Sequence, residues 1–280
     1  MKVLFFVVNF RADRHLLGFV DSLDVARSRC PAAQVSLHIH DNSEKIPSEQ
    51  EQLLAGLGSA RQWATVHFSA RNLGYFGALA SAQALADASM SCVVFCNPDL
   101  RVADDFLERL SGLADIEPGV IAPSILAVGD GFDQNPKYVE RLSREKLIRL
   151  RRIYSHAISY VAYQGAARIR EKLLGPRRSR PPSSDSHVYA PHGSMFVFTD
   201  VDFFRRLPPY PCFLFGEELF VAEEARRRRV PVTYRPQLRV TDERHASIRL
   251  LGAATRRRLM LESIRYILET YYREGSGHRS

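Results

Sequence analysis

Residues 91–100 read SCVVFCNPDL, an apolar run that stops abruptly at a polar tripeptide. The unbroken apolar run from Cys92 to Cys96 before Asn97 is typical of a strand that is buried on both faces, as at the centre of a mostly parallel sheet. Asp99 would then lie just beyond the carboxyl end of that strand, the edge at which open α/β sheets bind ligands. Two interpretations stay open: Asp99 is a ligand-binding carboxylate, or Asn97-Pro98-Asp99 is a turn that caps the next helix.

Strand and helix patterns alternate along the chain around this run. Residues 2–9 are mostly apolar, residues 34–41 alternate apolar and polar side chains, and helical spacing follows each of these segments. Polar residues stand at the exit of each predicted strand. This rhythm predicts an α/β fold with a Rossmann-like, mostly parallel central sheet flanked by helices, to which a basic helical insert and a C-terminal helix are added.

Composition sets the broad class of the protein. With 280 residues, 45% of them hydrophobic and 25% charged, the chain suits one large globular α/β domain with additions. Its longest apolar runs are far shorter than the roughly 20 residues that a membrane-spanning helix needs, so we expect none. The four cysteines form no Cys-x-x-Cys pair. We therefore expect a reduced, cytoplasmic protein.

Positive charge is concentrated in one segment. The net charge is +8, and the stretch from Lys137 to Arg180 carries thirteen Lys and Arg against three Glu. Basic and apolar residues alternate with helical spacing there, which fits either a helix lying on an anionic membrane surface or a helical hairpin packed on the core. Nucleic acid is not expected as a partner, because Tyr154, Tyr160 and Tyr163, which could stack on bases, lie where cations are sparse.

The charge pattern and the linker-like composition around residues 175–184 divide the chain into four regions. We assign residues 1–128 to a ligand-binding half of the α/β domain and residues 129–186 to the basic helical insert and linker. Residues 187–247 form the second half of the domain, and residues 248–280 a C-terminal helix and tail.

Glycine motifs narrow the class of ligand. No Gly-x-Gly-x-x-Gly or Gly-x-x-x-x-Gly-Lys follows a predicted strand, which disfavours a dinucleotide dehydrogenase and a P-loop kinase. Gly74 and Gly77 lie in a loop that begins at Asn72 and leads into a helix. They permit close approach of the backbone to a diphosphate, or equally a tight turn.

Several other polar residues have both a functional and a structural interpretation. Asp41 at a strand exit could bind a base or a ribose, or it could form an Asx turn with Asn42. Glu217 and Glu218 could supply a carboxylate base, or they could simply favour a helix N-terminus. His245 could bind a metal or a phosphate, or it could be structural.

The order of these motifs is more specific than any of them alone. An Asn at the first strand end, Asp41-Asn42, the Asn72 to Gly77 loop, Asn97-Pro98-Asp99, Gly193-Ser194, an aromatic run into the acid pair, and His245 follow one another along the chain. This succession resembles the inverting family-2 glycosyltransferases of GT-A fold, and is most similar to their rhamnosyltransferase-like bacterial branch. The resemblance spans about residues 1–125 and 187–250, outside the insert and the terminal helix.

The resemblance implies a role for each of these residues. Asp99 would bind Mg²⁺ or Mn²⁺ that bridges the diphosphate of a nucleotide-sugar donor, with His245 as a second metal ligand. Glu218 would be the catalytic base, with Glu217 beside it, and Gly193 and Ser194 would contact the acceptor. The remaining donor-binding residues would be Asn9, Asp41, Asn72, Gly74, Gly77 and Asn97.

We thus expect an inverting, metal-dependent transferase of a hexosyl or rhamnosyl group from a dTDP- or UDP-sugar to a hydroxyl of a glycan or a lipid-linked saccharide. Such a protein would act in polysaccharide biosynthesis in the cytoplasm, peripherally at the cytoplasmic face of the inner membrane. Two alternatives stay open. A nucleotidyltransferase should have a Gly-rich basic loop after the first strand, but residues 10–13 contain no glycine. A degenerate glycosyltransferase-like scaffold for glycan assembly would bind without catalysing transfer.

Overall fold

The computed structural model describes residues 1–113, 117–129, 131–174, 181–243 and 251–273. Within these residues, nine strands form one sheet: β1 (Lys2–Asn9), β2 (Gln34–Asp41), β3 (Ala64–Phe68), β4 (Cys92–Cys96), β5 (Leu100–Val102), β6 (Val120–Ala127), β7 (Ser186–His187), β8 (Met195–Phe198) and β9 (Val232–Asp242). The helices are α1 (Asp13–Arg29), α2 (Pro47–Gly56), α3 (Leu79–Leu85), α4 (Phe106–Ser111), α5 (Arg144–Ser155), α6 (Ala157–Leu174), α7 (Val201–Arg205), α8 (Glu217–Arg228) and α9 (Ala253–Tyr271).

The strand order is β3-β2-β1-β4-β8-β6-β9-β5, and β7 pairs with β9. Strands β3, β2, β1 and β4 are all parallel. Beyond β4 the sheet is mixed, because β8 runs antiparallel to both of its neighbours, β4 and β6. The predicted α/β fold with a central sheet flanked by helices is confirmed. Since β8 and β9 pair with strands that precede residue 129, the chain on both sides of the insert builds the same sheet.

Strand β4 lies at the middle of the core and is buried along its whole length, as predicted. Val93 and Phe95 belong to one apolar layer, in which α3, α8 and α9 pack on the sheet. Cys92, Val94 and Cys96 belong to the layer on the opposite face, which α1 and α4 cover. This burial on both faces explains the unbroken apolar run, since neither side of the strand meets water.

The basic insert contains two consecutive helices, and the first of them packs on the protein. The apolar side chains of α5 are buried or packed against the core and α9: Leu147, Ile148, Leu150, Ile153 and Tyr154. Just before α5, Arg141 donates from Nε to Glu223 Oε1 at 2.7 Å, and its guanidinium lies over the ring of Tyr272 at 4.0 Å. For α5, the structure therefore matches the packed-hairpin interpretation, and this apolar face is not free to meet a membrane.

None of the described helices combines the length and the apolar character needed to cross a bilayer. The cysteines are all free thiols, and Cys30, Cys92 and Cys96 are buried.

Candidate active site at the carboxyl edge of the sheet

The exit of β4 meets the start of β8 at one edge of the sheet. Because β8 is antiparallel to β4, the residues that precede β8 lie beside the residues that follow β4. The backbone N–H of Asn97 donates to the carbonyl oxygen of Ser194 at 2.8 Å. Gly193 and Ser194 are thereby held next to the Asn97-Pro98-Asp99 tripeptide.

A cavity of about 520 Å³ opens at this edge. Its lining brings together eight of the residues that the sequence singles out: Asn72, Gly74, Asn97, Asp99, Gly193, Ser194, Glu217 and Glu218. The remaining lining includes aromatic and aliphatic side chains and Lys137. A largely apolar cavity with a few convergent polar groups is the usual form of a small-ligand site.

Three predicted donor-binding residues do not line this cavity. Asn9 and Asp41 are buried beneath the edge, where Asn9 Nδ2 donates to Asp41 Oδ2 at 2.6 Å. The carboxylate of Asp41 also accepts the Ser43 backbone N–H at 2.8 Å and lies 3.4 Å from Lys45 Nζ. In this arrangement Asp41 forms the Asx turn of the alternative interpretation, and Asn42 is the residue from this turn that reaches the cavity. Gly77 is exposed within a short 3₁₀ segment.

The loop that begins at Asn72 forms one wall of the cavity. Asn42 Nδ2 donates to the carbonyl of Gly74 at 3.0 Å, and the N–H of Gly74 donates to Asn72 Oδ1 at 2.9 Å. Gly74 has a φ of +78°, and a Cβ at this position would overlap the carbonyl oxygen of Phe213. Glycine is thus required twice here, for the left-handed backbone and for the close approach of the Phe213 segment.

The acid pair starts helix α8, which also borders the cavity. Phe215 and Gly216 both have positive φ, +71° and +82°, and Glu217 and Glu218, which follow this sharp turn, line the cavity. The turn is fixed from behind by Tyr210, whose hydroxyl donates to the carbonyl of Phe215 at 2.6 Å. A bulky residue in the left-handed region is strained, and such strain is concentrated at functional sites.

The two glutamates of this pair differ in environment. Glu217 is buried, and burial, followed by the neighbouring charge of Glu218, raises its pKa to about 8. Burial therefore favours the protonated form of Glu217. Glu218 is half-buried, and a Cβ built on Gly193 would lie 3.5 Å from Glu218 Oε2. The carboxylate of Glu218 thus adjoins the Gly193-Ser194 loop.

Asp99 lines the cavity and is only 4% exposed. Burial, followed by the charge of Asp242 at the end of β9, raises its pKa to about 6. A cation bound at Asp99 would stabilise the ionised carboxylate and lower that pKa again.

Comparison with solved structures shows which fold this is. The crystal structure of GalNAc-T7 with UDP, GalNAc and Mn²⁺ is similar with a TM-score of 0.62 and 13% sequence identity, over 97% of this chain and 49% of that one. Mannosyltransferase PcManGT from Pyrobaculum calidifontis, in complex with GDP-Man and Mn²⁺, has a TM-score of 0.50 and 13% identity, over 96% of this chain and 70% of that one. S. aureus TarS has a TM-score of 0.50 and 12% identity, over 87% and 37% respectively.

The chain has the GT-A glycosyltransferase fold. It spans about half the length of the GalNAc-T7 structure. No family model matches the sequence, and no curated protein matches it significantly. At these identities the similarity establishes the GT-A fold, while the rhamnosyltransferase-like branch and the individual site residues stay predictions.

The side chains at the carboxyl edge of the sheet can be examined as possible ligands of a divalent metal ion. Within the described residues, no group of three or more His, Cys, Asp or Glu side chains could hold a metal ion by itself. His245 lies outside the described residues. Asp99 fits the way in which Mg²⁺ is often bound, through one or two carboxylates together with the phosphates of a substrate.

Sequence reasoning missed several residues of the cavity. Lys137 reaches it from the segment assigned to the insert, and its charge lowers the pKa of Glu217 against the effect of burial. His192 also lines it, and its Nδ1 lies 2.9 Å from Ser194 Oγ. His192 directly precedes Gly193 and Ser194, and this position beside two predicted site residues could have identified it from the sequence. No local pattern pointed to Lys137.

Gly74→Ala should disrupt the loop and weaken ligand binding, because the new methyl group meets the Phe213 carbonyl. We expect a loss of about 3 kcal/mol in the free energy of unfolding, from backbone strain and overlap together. Gly58→Ala is the matched control, since Gly58 also has positive φ but no neighbour within 4 Å; it should cost only about 1 kcal/mol. Urea unfolding of both variants measures this, and equal losses would show that the loop contact is unimportant.

Glu217→Gln should change how stability depends on pH. Wild-type Glu217 keeps its proton when folded up to about pH 8, whereas an unfolded chain releases it near the ordinary pKa of 4.5. Folding stability contributed by this group is therefore complete at low pH and falls as pH rises toward 8, by up to about 1.4 kcal/mol per pH unit. Glutamine has no such titration. The free energies of unfolding of wild type and variant, measured at several pH values, should agree at low pH and separate as pH rises toward 8, where wild type loses stability relative to the variant; a constant difference across this range would contradict the assigned shift.

Proposed function

We propose that the chain is an inverting glycosyltransferase that moves a hexosyl or rhamnosyl group from a dTDP- or UDP-sugar to a hydroxyl of a glycan or a lipid-linked saccharide. One observation carries the proposal: Asp99 and Glu218 line the same cavity at the carboxyl edge of a GT-A sheet, with Gly193 and Ser194 between the elements that present them. That edge is where an open α/β sheet binds a nucleotide.

Glu218 is the proposed base. A single displacement at the anomeric carbon needs a group that removes the proton from the acceptor hydroxyl as the new bond forms. Glu218 is the accessible member of the acid pair, and it adjoins the loop of the proposed acceptor side. Glu217, whose burial favours the protonated form, supports this role as a hydrogen-bond donor, and in that form it adds no second negative charge beside the base.

The leaving diphosphate is proposed to lie on the other side of the cavity, near Asp99. When bound, Mg²⁺ or Mn²⁺ would supply positive charge to the departing diphosphate. The Mn²⁺ in the complexes of GalNAc-T7 with UDP and of PcManGT with GDP-Man supports this part of the proposal. Asn42, Asn72 and the backbone of Gly74 hold the neighbouring wall in position for the nucleotide. Asn9 and Asp41 are proposed to act on the donor through the buried network that supports this wall.

We propose that the protein works in the cytoplasm, at the membrane face where lipid-linked saccharides are assembled. The free thiols agree with a reducing compartment.

A cavity lined by aromatic and aliphatic side chains as well as polar ones suits a sugar ring, which has apolar faces and hydroxyl edges.

Glu218→Gln should lower kcat for sugar transfer by about 10²–10⁴-fold, because it removes the base and keeps its shape. Donor affinity should stay within a few-fold of wild type. Glu217→Gln is the matched control: the replaced group is already neutral, so the loss should be far smaller. Transfer assays with a panel of nucleotide sugars and acceptors measure both variants. Full transfer by Glu218→Gln would exclude this assignment.

Asp99→Asn should abolish the part of nucleotide binding that depends on the cation. Calorimetry with UDP and dTDP, with and without Mn²⁺, should show binding that Mn²⁺ strengthens at least tenfold in wild type and not in the variant. Asp21→Asn, at an exposed position of α1, is the control and should behave as wild type. Failure of wild type to bind either nucleotide would refute the transferase proposal, and binding without any transfer would favour the scaffold alternative.

A further inference from the structure

Helix α6 exposes an apolar stripe that no described part of the chain covers. Four side chains along it are strongly exposed: Ile158 (85%), Val161 (66%), Ile169 (61%) and Leu173 (77%). Their spacing of three, eight and four residues places them on one face of the helix. The inner side of α6 is fixed to the protein by Tyr160, which is buried against Tyr154 of α5.

Scattered exposed apolar residues are normal on a protein surface, but a row along a single helix face is not. Leaving this row in water costs free energy that a partner surface would recover. On α5, by contrast, the apolar side chains are already packed against the core and α9. Of these two helices, α6 is therefore the one whose apolar side chains stay exposed to water.

Charge indicates the kind of partner. Three exposed basic residues of α6, Arg168, Arg170 and Lys172, lie around the apolar stripe, and α5 exposes Arg149 and Arg152 nearby in the chain. The sequence of α6 contains a single acidic residue. Two copies of the chain that met through this stripe would bring their basic residues together, which is electrostatically unfavourable. A surface of negative headgroups over an apolar interior satisfies both features.

We propose that α6 lies in the plane of an anionic phospholipid membrane, with Ile158, Val161, Ile169 and Leu173 inserted among the acyl chains and the basic residues at the headgroups. This deepens the proposed function, because it names the surface on which a lipid-linked acceptor would be met. It also moves the membrane contact of the predicted segment 137–180 from α5 to α6. Its test does not depend on sugar transfer.

The test is co-flotation of the full chain with vesicles of phosphatidylcholine alone and of phosphatidylcholine mixed with phosphatidylglycerol. Wild type should float with the mixed vesicles, less with phosphatidylcholine, and less in high salt. Ile169→Gln/Leu173→Gln should bind the mixed vesicles at least tenfold more weakly. Ala167→Gln is the matched control, since Ala167 is exposed on α6 away from the stripe, and it should bind as wild type does.

Two further measurements separate membrane binding from other effects. Melting followed by circular dichroism shows whether the variants fold, and calorimetry with UDP shows whether they still bind nucleotide. Both should be unchanged in the α6 variants, whose positions lie away from the cavity lining. Absence of wild-type flotation with mixed vesicles would overturn the inference, as would equal flotation of the stripe variant and wild type. A dimer seen in sedimentation analysis and lost in the stripe variant would also overturn it, in favour of a second copy as the occupant.

Discussion

The antiparallel pairing of β8 with β4 is the constraint on which the rest of the site depends. Both strands are completely buried, and the pairing runs from Val93 opposite Phe198 to Cys96 opposite Met195. Had β8 run parallel to β4, the Gly193-Ser194 loop would have emerged at the other edge of the sheet, far from Asp99. Its reversed direction brings a segment from beyond the insert to the exit of β4, so the site is completed by residues almost one hundred positions apart.

Aromatic packing then fixes the acid pair relative to that edge. The ring of Phe76 contacts Phe95 of β4 and Phe196 of β8 at centroid distances of 5.1 and 5.5 Å, and it contacts Phe220 of α8 at 6.0 Å. One side chain from the loop thus packs against both central strands and the helix that begins with Glu217. Tilted and edge-on aromatic contacts of this kind are stabilising and leave little room for adjustment. The walls of the cavity are therefore parts of the same core that stabilises the fold.

Local sequence patterns were enough to predict the strands that have an unbroken apolar run or a strict alternation of apolar and polar residues. Strands β1 and β2 have the bounds that an apolar run and a strict alternation indicate, and β4 is buried on both faces as its sequence suggests. Strand β5 escaped prediction because its three residues are a strand only through pairing with β9, some 140 residues later. The basic amphipathic pattern of α5 is the same whether its apolar face meets lipid or protein, and only the position of α9 decides between them. Asp41 shows the same limit, since its engagement by Asn9 and Lys45 depends on folding.

The acid pair shows why adjacent residues of one type can differ in chemistry. The sequence makes Glu217 and Glu218 equivalent members of a helix N-terminus, where both would be stabilised by the dipole. Two ionised carboxylates side by side in a cavity repel each other, and the more buried one loses more hydration. The more buried carboxyl group therefore keeps its proton to a higher pH than the other. Glu217, which directly follows the left-handed turn at Phe215 and Gly216, is the buried member, and Glu218 is half-exposed. Burial at one position of the helix start therefore distinguishes a carboxyl that favours its proton from the proposed base, although the two residues have the same side chain.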